Sequence, residues 1–96
     1  MYVVVAYDIR TDTKAGQKRL RRIAQVCVNH GQRVQKSVFE CQVDELQFAD
    51  LVRQLRDVIH PAEDSIRIYR VHDFSKRTLV SLGREIGIDF EEPMIL

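Results

Sequence analysis

Residues 2 to 9 read Tyr-Val-Val-Val-Ala-Tyr-Asp-Ile, an almost unbroken apolar run rich in β-branched side chains. Apolar positions of both parities predict a central strand covered on each side. After the polar turn Arg10-Thr11-Asp12-Thr13, the residues Leu20, Ile23, Ala24, Cys27 and Val28 recur at helical spacing. Lys18, Arg19, Arg21, Arg22 and Gln25 fill the positions between them, and Gly31 follows His30 as a stop. The pattern predicts an amphipathic helix with a basic outer face.

From Gln32 to Val43 the alternation places Val34 on one side and Phe39, Cys41 and Val43 on the other, so its phase changes near Lys36-Ser37. A bulge or two successive short strands would account for the change, since one inserted residue reverses the side of every later side chain. Alternatively, Val38 and Phe39 are both buried, one in the core and one against another subunit. Asp44 with Gln47 three residues on fits a capping box, and Phe48, Val52, Leu55 and Ile59 mark the buried face of a second helix that Pro61 ends. Ser65 to Val71 alternates as a strand with one wetter side, carrying Arg67 and Tyr69. His72 to Arg77 reads as a loop and Thr78 to Leu82 as a short strand before Gly83.

The order of elements suggests an α+β sandwich of the ferredoxin-like plan, with two helices on one face of an antiparallel sheet. The open face needs cover, and a twofold homodimer with sheets face to face would supply it. In the tail, residues 87 to 96, Ile88, Phe90, Met94, Ile95 and Leu96 are apolar while Pro93 and neighbouring acids oppose a helix. An exposed apolar terminus is costly on so small a domain. The tail is therefore expected to add a strand to a neighbouring sheet edge, most simply that of a second copy.

A chain of 96 residues makes one domain, residues 1–96, with a modest core and no separate substrate lobe. Apolar content of 45% and charged content of 30% are those of an ordinary globular protein. No segment is long enough to cross a bilayer, so no membrane partner is expected. The first apolar run lacks a basic leader and a cleavage site and is interrupted by Asp8, which makes it a mature strand and the cytoplasm the default location. Cys27 and Cys41 lack the paired spacing of a zinc site and read as buried thiols. The pair His72-Asp73 reads as loop chemistry.

The net charge of +1 conceals an uneven distribution. Between Arg10 and Lys36 the one acid is Asp12, whereas Glu40 to Asp64 and the tail are acid-rich. Such polarity can hold a polyanion on one face, or it can simply be a solvated helix surface. Asp8, at the carboxyl end of the first strand, is either a cap for the following helix or a site residue. Asp12 and Thr13 stand nearer the helix start and could do the capping. An acid released beside a basic stretch suggests a metal site facing phosphate.

The segment Val5-Ala6-Tyr7-Asp8-Ile9, the basic helix ending at Gly31, and above all Arg33-Val34-Gln35-Lys36-Ser37-Val38-Phe39-Glu40-Cys41 resemble the CRISPR-associated Cas protein family two. This is the small ferredoxin-like protein of the CRISPR adaptation module that works with the spacer integrase. The resemblance covers nearly the whole chain. It implies a homodimer whose strand-end aspartates face each other and share a divalent metal, Mg2+ or another such as Mn2+. On that basis Asp8 is the catalytic acid and metal ligand, Tyr7 its neighbour in the motif, and Arg33, Ser37 and Phe39 the second motif. Arg33, with Arg19 and Arg22 of the first helix, is the candidate contact to an RNA or DNA backbone.

The chemistry is consistent with that assignment. One carboxylate per chain is too few for a nuclease metal centre, and a second Asp8 across a dimer axis would remedy this. Two such acids repel unless a cation neutralises them. Magnesium prefers oxygen ligands, keeps several waters and takes phosphate oxygens. Arginines would grip the backbone with steep salt dependence and little sequence preference, and no aromatic stacking platform for single strands is evident. Four functions compete: a metal-dependent endonuclease acting on RNA or DNA through Asp8; a non-catalytic dimeric adaptor holding DNA for the integrase; an RNA-cleaving toxin of the virulence-associated D type; and a ligand-regulated domain. The basic helix and the lack of a Gly-rich ligand loop argue against the last.

Overall fold

The computed structural model describes residues 1–84. Six elements follow in order: β1 (Tyr2–Asp8), α1 (Lys14–His30), β2 (Gly31–Gln35), β3 (Val38–Gln42), α2 (Glu45–Val58) and β4 (Ser65–Val71). The strands form one sheet in the order β2-β3-β1-β4 with every pairing antiparallel. Val3, Val5, Tyr7, Phe39 and Cys41 point from one sheet face into a core that Ile23, Val26 and Cys27 of α1 and Leu51 and Leu55 of α2 complete. Both helices thus cover the same face, which is the expected ferredoxin-like α+β sandwich.

As expected, β1 is central, flanked by β3 and β4. Its burial alternates: Val3, Val5 and Tyr7 are buried, while Tyr2, Val4 and Ala6 are half-buried. Within one chain the strand is therefore covered on one side only. By register the uncovered face carries Tyr2, Val4, Ala6 and Asp8 of β1, with Val38 and Glu40 of β3 and Ser65, Arg67 and Tyr69 of β4.

The change of phase near Lys36-Ser37 is a hairpin. Lys36 and Ser37 form the turn between β2 and β3, and the register shifts between Arg33 and Gln35. Both devices foreseen for this stretch are present, a pair of short strands and an inserted residue. Phe39 goes to the core and Val38 to the open face. Gly31 is extended, at φ −168°, and opens β2 as soon as α1 ends. Its role is steric: an added Cβ would collide with the Glu40 carbonyl oxygen and lie 2.5 Å from the Cys41 sulfur.

The helices differ in detail from their sequence pattern. On α1 the buried set is Ile23, Val26 and Cys27, and Val28 is 52% exposed. On α2 Leu51 and Leu55 are buried, whereas Phe48, Val52 and Ile59 are half-buried at the margin. The capping box is formed: the Gln47 amide donates to the Asp44 carboxylate at 2.7 Å and the Asp44 amide to the Gln47 side chain at 2.9 Å. The short strand expected at Thr78 to Leu82 is absent. Asp73 accepts hydrogen bonds from the Ser75 amide and the Ser75 and Thr78 hydroxyls, which winds the chain into a turn instead. The tail strand expected at residues 87–96 lies outside the described residues. Among the described residues no helix is long and apolar enough to cross a membrane.

Candidate functional site

Asp8 is the last residue of β1, exposed and paired in register with Ser65 of β4. Its side chain has no hydrogen bond or ion pair among the described residues. The capping role open to it belongs to Thr13, whose hydroxyl accepts from the Gly16 amide at 3.0 Å. Asp8 is thus a carboxylate delivered to the surface and left uncommitted.

The other motif residues support its strand from within. Tyr7 is buried, its ring stacks on Phe39 with centroids 6.2 Å apart, and its amide donates to the Ser37 carbonyl at 3.1 Å. Phe39 is fully buried, and the Arg33 guanidinium lies 5.1 Å from the centre of its ring. Arg33 itself is exposed, so it shields the ring with one face and offers donors to solvent with its edge. Tyr7, Arg33, Ser37 and Phe39 therefore gather where β1 ends beside the β2–β3 turn.

The arginines of α1 separate into two kinds. Arg19, only 14% exposed at its side chain, donates through Nε to Asp64 at 2.7 Å and through Nη2 to Glu63 at 3.1 Å. Its Nε and Nη2 donors are engaged within the chain, which is not the arrangement expected of a phosphate contact. Arg22 is exposed and makes no ion pair among the described residues, as do Lys14, Lys18 and Arg21 on the same helix. A row of free cations thus follows Asp8 along the chain. Arg10 is turned toward Asp12 at 2.9 Å.

Two residues escaped the sequence reading. Asp64 stood in the sequence only as the end of the acid-rich stretch from Glu40, yet its side chain is buried. It accepts from Arg19, from the Arg10 amide at 3.2 Å and from the His60 amide at 2.9 Å. The Arg19 bond, aided by those amides, holds its carboxyl below the usual carboxylate range against the opposing effect of desolvation. Its place, between the turn at Pro61 and a strand whose first residue pairs with Asp8, was the available signal. Arg67 shares the open face with Asp8, opposite Ala6, and lies 5.5 Å from the Tyr69 ring centre.

No group of three His, Cys, Asp or Glu side chains that could hold a metal occurs among the described residues. Asp8 still suits a magnesium ion, a hard cation that keeps several waters and needs one or two carboxylates. The thiols are unsuited to metal binding or catalysis. Burial pushes Cys27 up to about 12 and Cys41 up to about 11. Asp73, lowered to about 2 chiefly by the Thr78 and Ser75 hydroxyls, serves its own turn, with His72 4.0 Å away.

A family model described as CRISPR associated protein Cas2 matches residues 1–78. The CRISPR-associated endoribonuclease Cas2 of Chlorobaculum tepidum is 54% identical over 96 residues, all of both chains. The CRISPR-associated endonuclease Cas2 of Halalkalibacterium halodurans is 44% identical over 95 residues, covering 99% of each chain. The crystal structure of Streptococcus pyogenes Cas2 at pH 6.5 superposes with a TM-score of 0.77 and 46% identity, over 86% of this chain and 100% of that one.

Proposed function

Because the chain belongs to the CRISPR associated protein Cas2 family, we propose that it is a metal-dependent endonuclease of RNA or DNA that serves CRISPR spacer acquisition beside the integrase. The observation that carries the proposal is the state of Asp8, exposed at the end of the central strand and free of any internal partner. Relatives bearing the names endoribonuclease and endonuclease lend the reaction class. The work would be done in the cytoplasm, on a polyanion that needs no base-specific readout.

In this reading the protein acts as a homodimer joined through its open sheet faces. Asp8 of each copy would hold one magnesium or manganese ion, which supplies Lewis acidity at the phosphodiester and a more acidic water. Asp8 must be ionised to do so. Lys14, Lys18, Arg21 and Arg22 would grip the backbone, with Arg33 adding its free edge at the β2–β3 end of the sheet. Tyr7, Ser37 and Phe39 would fix the strand that presents Asp8.

A second reading, a non-catalytic dimeric adaptor, is favoured by the exposed, unpaired Lys14, Lys18, Arg21 and Arg22 of α1, which can hold a nucleic-acid backbone without cutting it. Both readings are decided by one assay: labelled single-stranded RNA and double-stranded DNA, with magnesium or chelator, incubated with wild type and Asp8→Asn. Magnesium-dependent cutting lost in the variant establishes the nuclease. Equal cutting by both proteins, or none, removes it and leaves the adaptor.

A further inference from the structure

The loop that follows Asp8 is anchored by the buried Ile9, by a bond from the Gln17 side chain to the Thr11 carbonyl at 3.2 Å, and by its backbone at Arg10. Asp64, buried at the start of β4, accepts from the Arg10 amide at 3.2 Å, two residues beyond Asp8. The same carboxylate accepts from the His60 amide at 2.9 Å and from Arg19 Nε at 2.7 Å and Nη2 at 3.3 Å. One side chain thereby joins three elements: the exit of β1, the middle of α1 and the turn between α2 and β4. Glu63 takes the remaining reach of Arg19 at 3.1 Å. Next to Asp64 in sequence, Ser65 pairs with Asp8 itself. The backbone carrying Asp8 is therefore fixed from the β4 side by the ladder and from the loop side by Asp64.

We infer that Asp64 is a positioning residue for Asp8, and that the role of Arg19 is to hold Asp64 in place and not to bind phosphate. The inference rests on the proposed role of Asp8, and it deepens that role by naming what aims the carboxylate. A buried carboxylate with four donors is a stiff hub, because the Arg19 guanidinium, the Arg10 amide and the His60 amide hold it from three parts of the chain. Without it the Arg10 amide loses its acceptor, and the loop keeps only the buried Ile9 and the contacts of Thr11 and Thr13 with α1.

The test compares Asp64→Asn, Arg19→Gln, Arg19→Lys and Arg22→Gln in the full chain. Amide hydrogen exchange at Arg10 and backbone relaxation at Asp8 and Ile9 require no catalytic activity. Both are expected to rise in Asp64→Asn and Arg19→Gln, less in Arg19→Lys, which keeps the charge with fewer directed donors, and not at all in Arg22→Gln. Where the wild type cleaves, Asp64→Asn should lower kcat about tenfold or more with KM and salt dependence unchanged. Unchanged mobility at Arg10 and Asp8 in Asp64→Asn overturns the inference, as does a defect confined to KM. A wild type that does not cleave refutes the nuclease reading alone, since the mobility measurements still decide the positioning claim.

Discussion

The Tyr7 ring stacks on Phe39 at 6.2 Å and an interplanar angle of 23°, one residue before the exposed Asp8. The stack couples the core to the site, because the strand cannot shift at Asp8 without disturbing a fully buried aromatic. Phe39→Ala should cost about 4 kcal/mol, and Phe39→Leu about 1 kcal/mol. Thermal unfolding of both variants checks this. A loss in Phe39→Ala below 1 kcal/mol would mean that Phe39 is not the centre of the core.

A second prediction follows from Asp64. Its carboxyl lies below the ordinary range chiefly because of the Arg19 hydrogen bond. The ionised form is thus favoured by folding, so the stabilisation is full above the unfolded value near 4 and disappears as pH falls through the lower folded value. Asp64→Asn should lower stability at neutral pH and shallow the acid limb below about pH 4. Denaturant unfolding from pH 2 to 7 reads both effects. An unchanged acid limb would show that the pair contributes nothing to stability.

The thiols provide a third. Cys27 and Cys41 are buried, and burial pushes their thiols up to about 12 and about 11. Reaction with an alkylating reagent at pH 7 should be at least a hundredfold slower in the native state than in denaturant. Rapid labelling of the native chain would show that α1 opens from β3 on its own.

How much of this was legible in the sequence depends on whether the signal was local. The central strand, both helices and a break of phase near Lys36-Ser37 were readable because apolar periodicity and the Asp44 cap lie within short windows, whereas the hairpin behind that break was left open between a bulge and two short strands. The choice of Val26 over Val28, and of Leu51 over Val52, depends on how α1 and α2 pack on each other and on the sheet, and periodicity leaves an ambiguity of one neighbour there. The strand expected at Thr78 was lost to hydroxyls that prefer the Asp73 carboxylate. In the site, Asp8 was conspicuous because a strand-end acid breaks an apolar run. Arg19 and Arg22 were indistinguishable, three positions apart on one helix. Only the fold brings Asp64, 45 residues away, to one of them.

That distinction gives a fourth prediction. Arg22→Gln should weaken RNA or DNA binding and reduce the salt slope by about one phosphate contact, with no change in thermal stability. Arg19→Gln should instead lower the melting temperature, since it takes from Asp64 the cation that it pairs with, and leave the salt slope unchanged. Filter binding across a salt series, with melting curves for each protein, separates the two. A reduced slope in Arg19→Gln would show that this side chain leaves Asp64 when nucleic acid binds.

The open sheet face gives the last prediction. Val4, Ala6, Val38 and Tyr69 are turned away from the helices, and Tyr69 is 46% exposed, so a single chain leaves an apolar centre facing water. Two such faces in contact would bury it and would bring the Asp8 residues of two copies to the same rim. Val4→Lys tests the arrangement cleanly. Within one chain the new ammonium stands opposite Glu40 and beside Tyr69, where it can pair and reach solvent, so the fold should tolerate it. Between two packed sheets the same charge would be desolvated at a cost of several kcal/mol. Analytical ultracentrifugation at micromolar concentration should find wild type as a dimer and Val4→Lys as a folded monomer with any Asp8-dependent cleavage lost. A dimeric Val4→Lys would show that the sheets do not meet face to face, and the paired-aspartate site would fall with that arrangement.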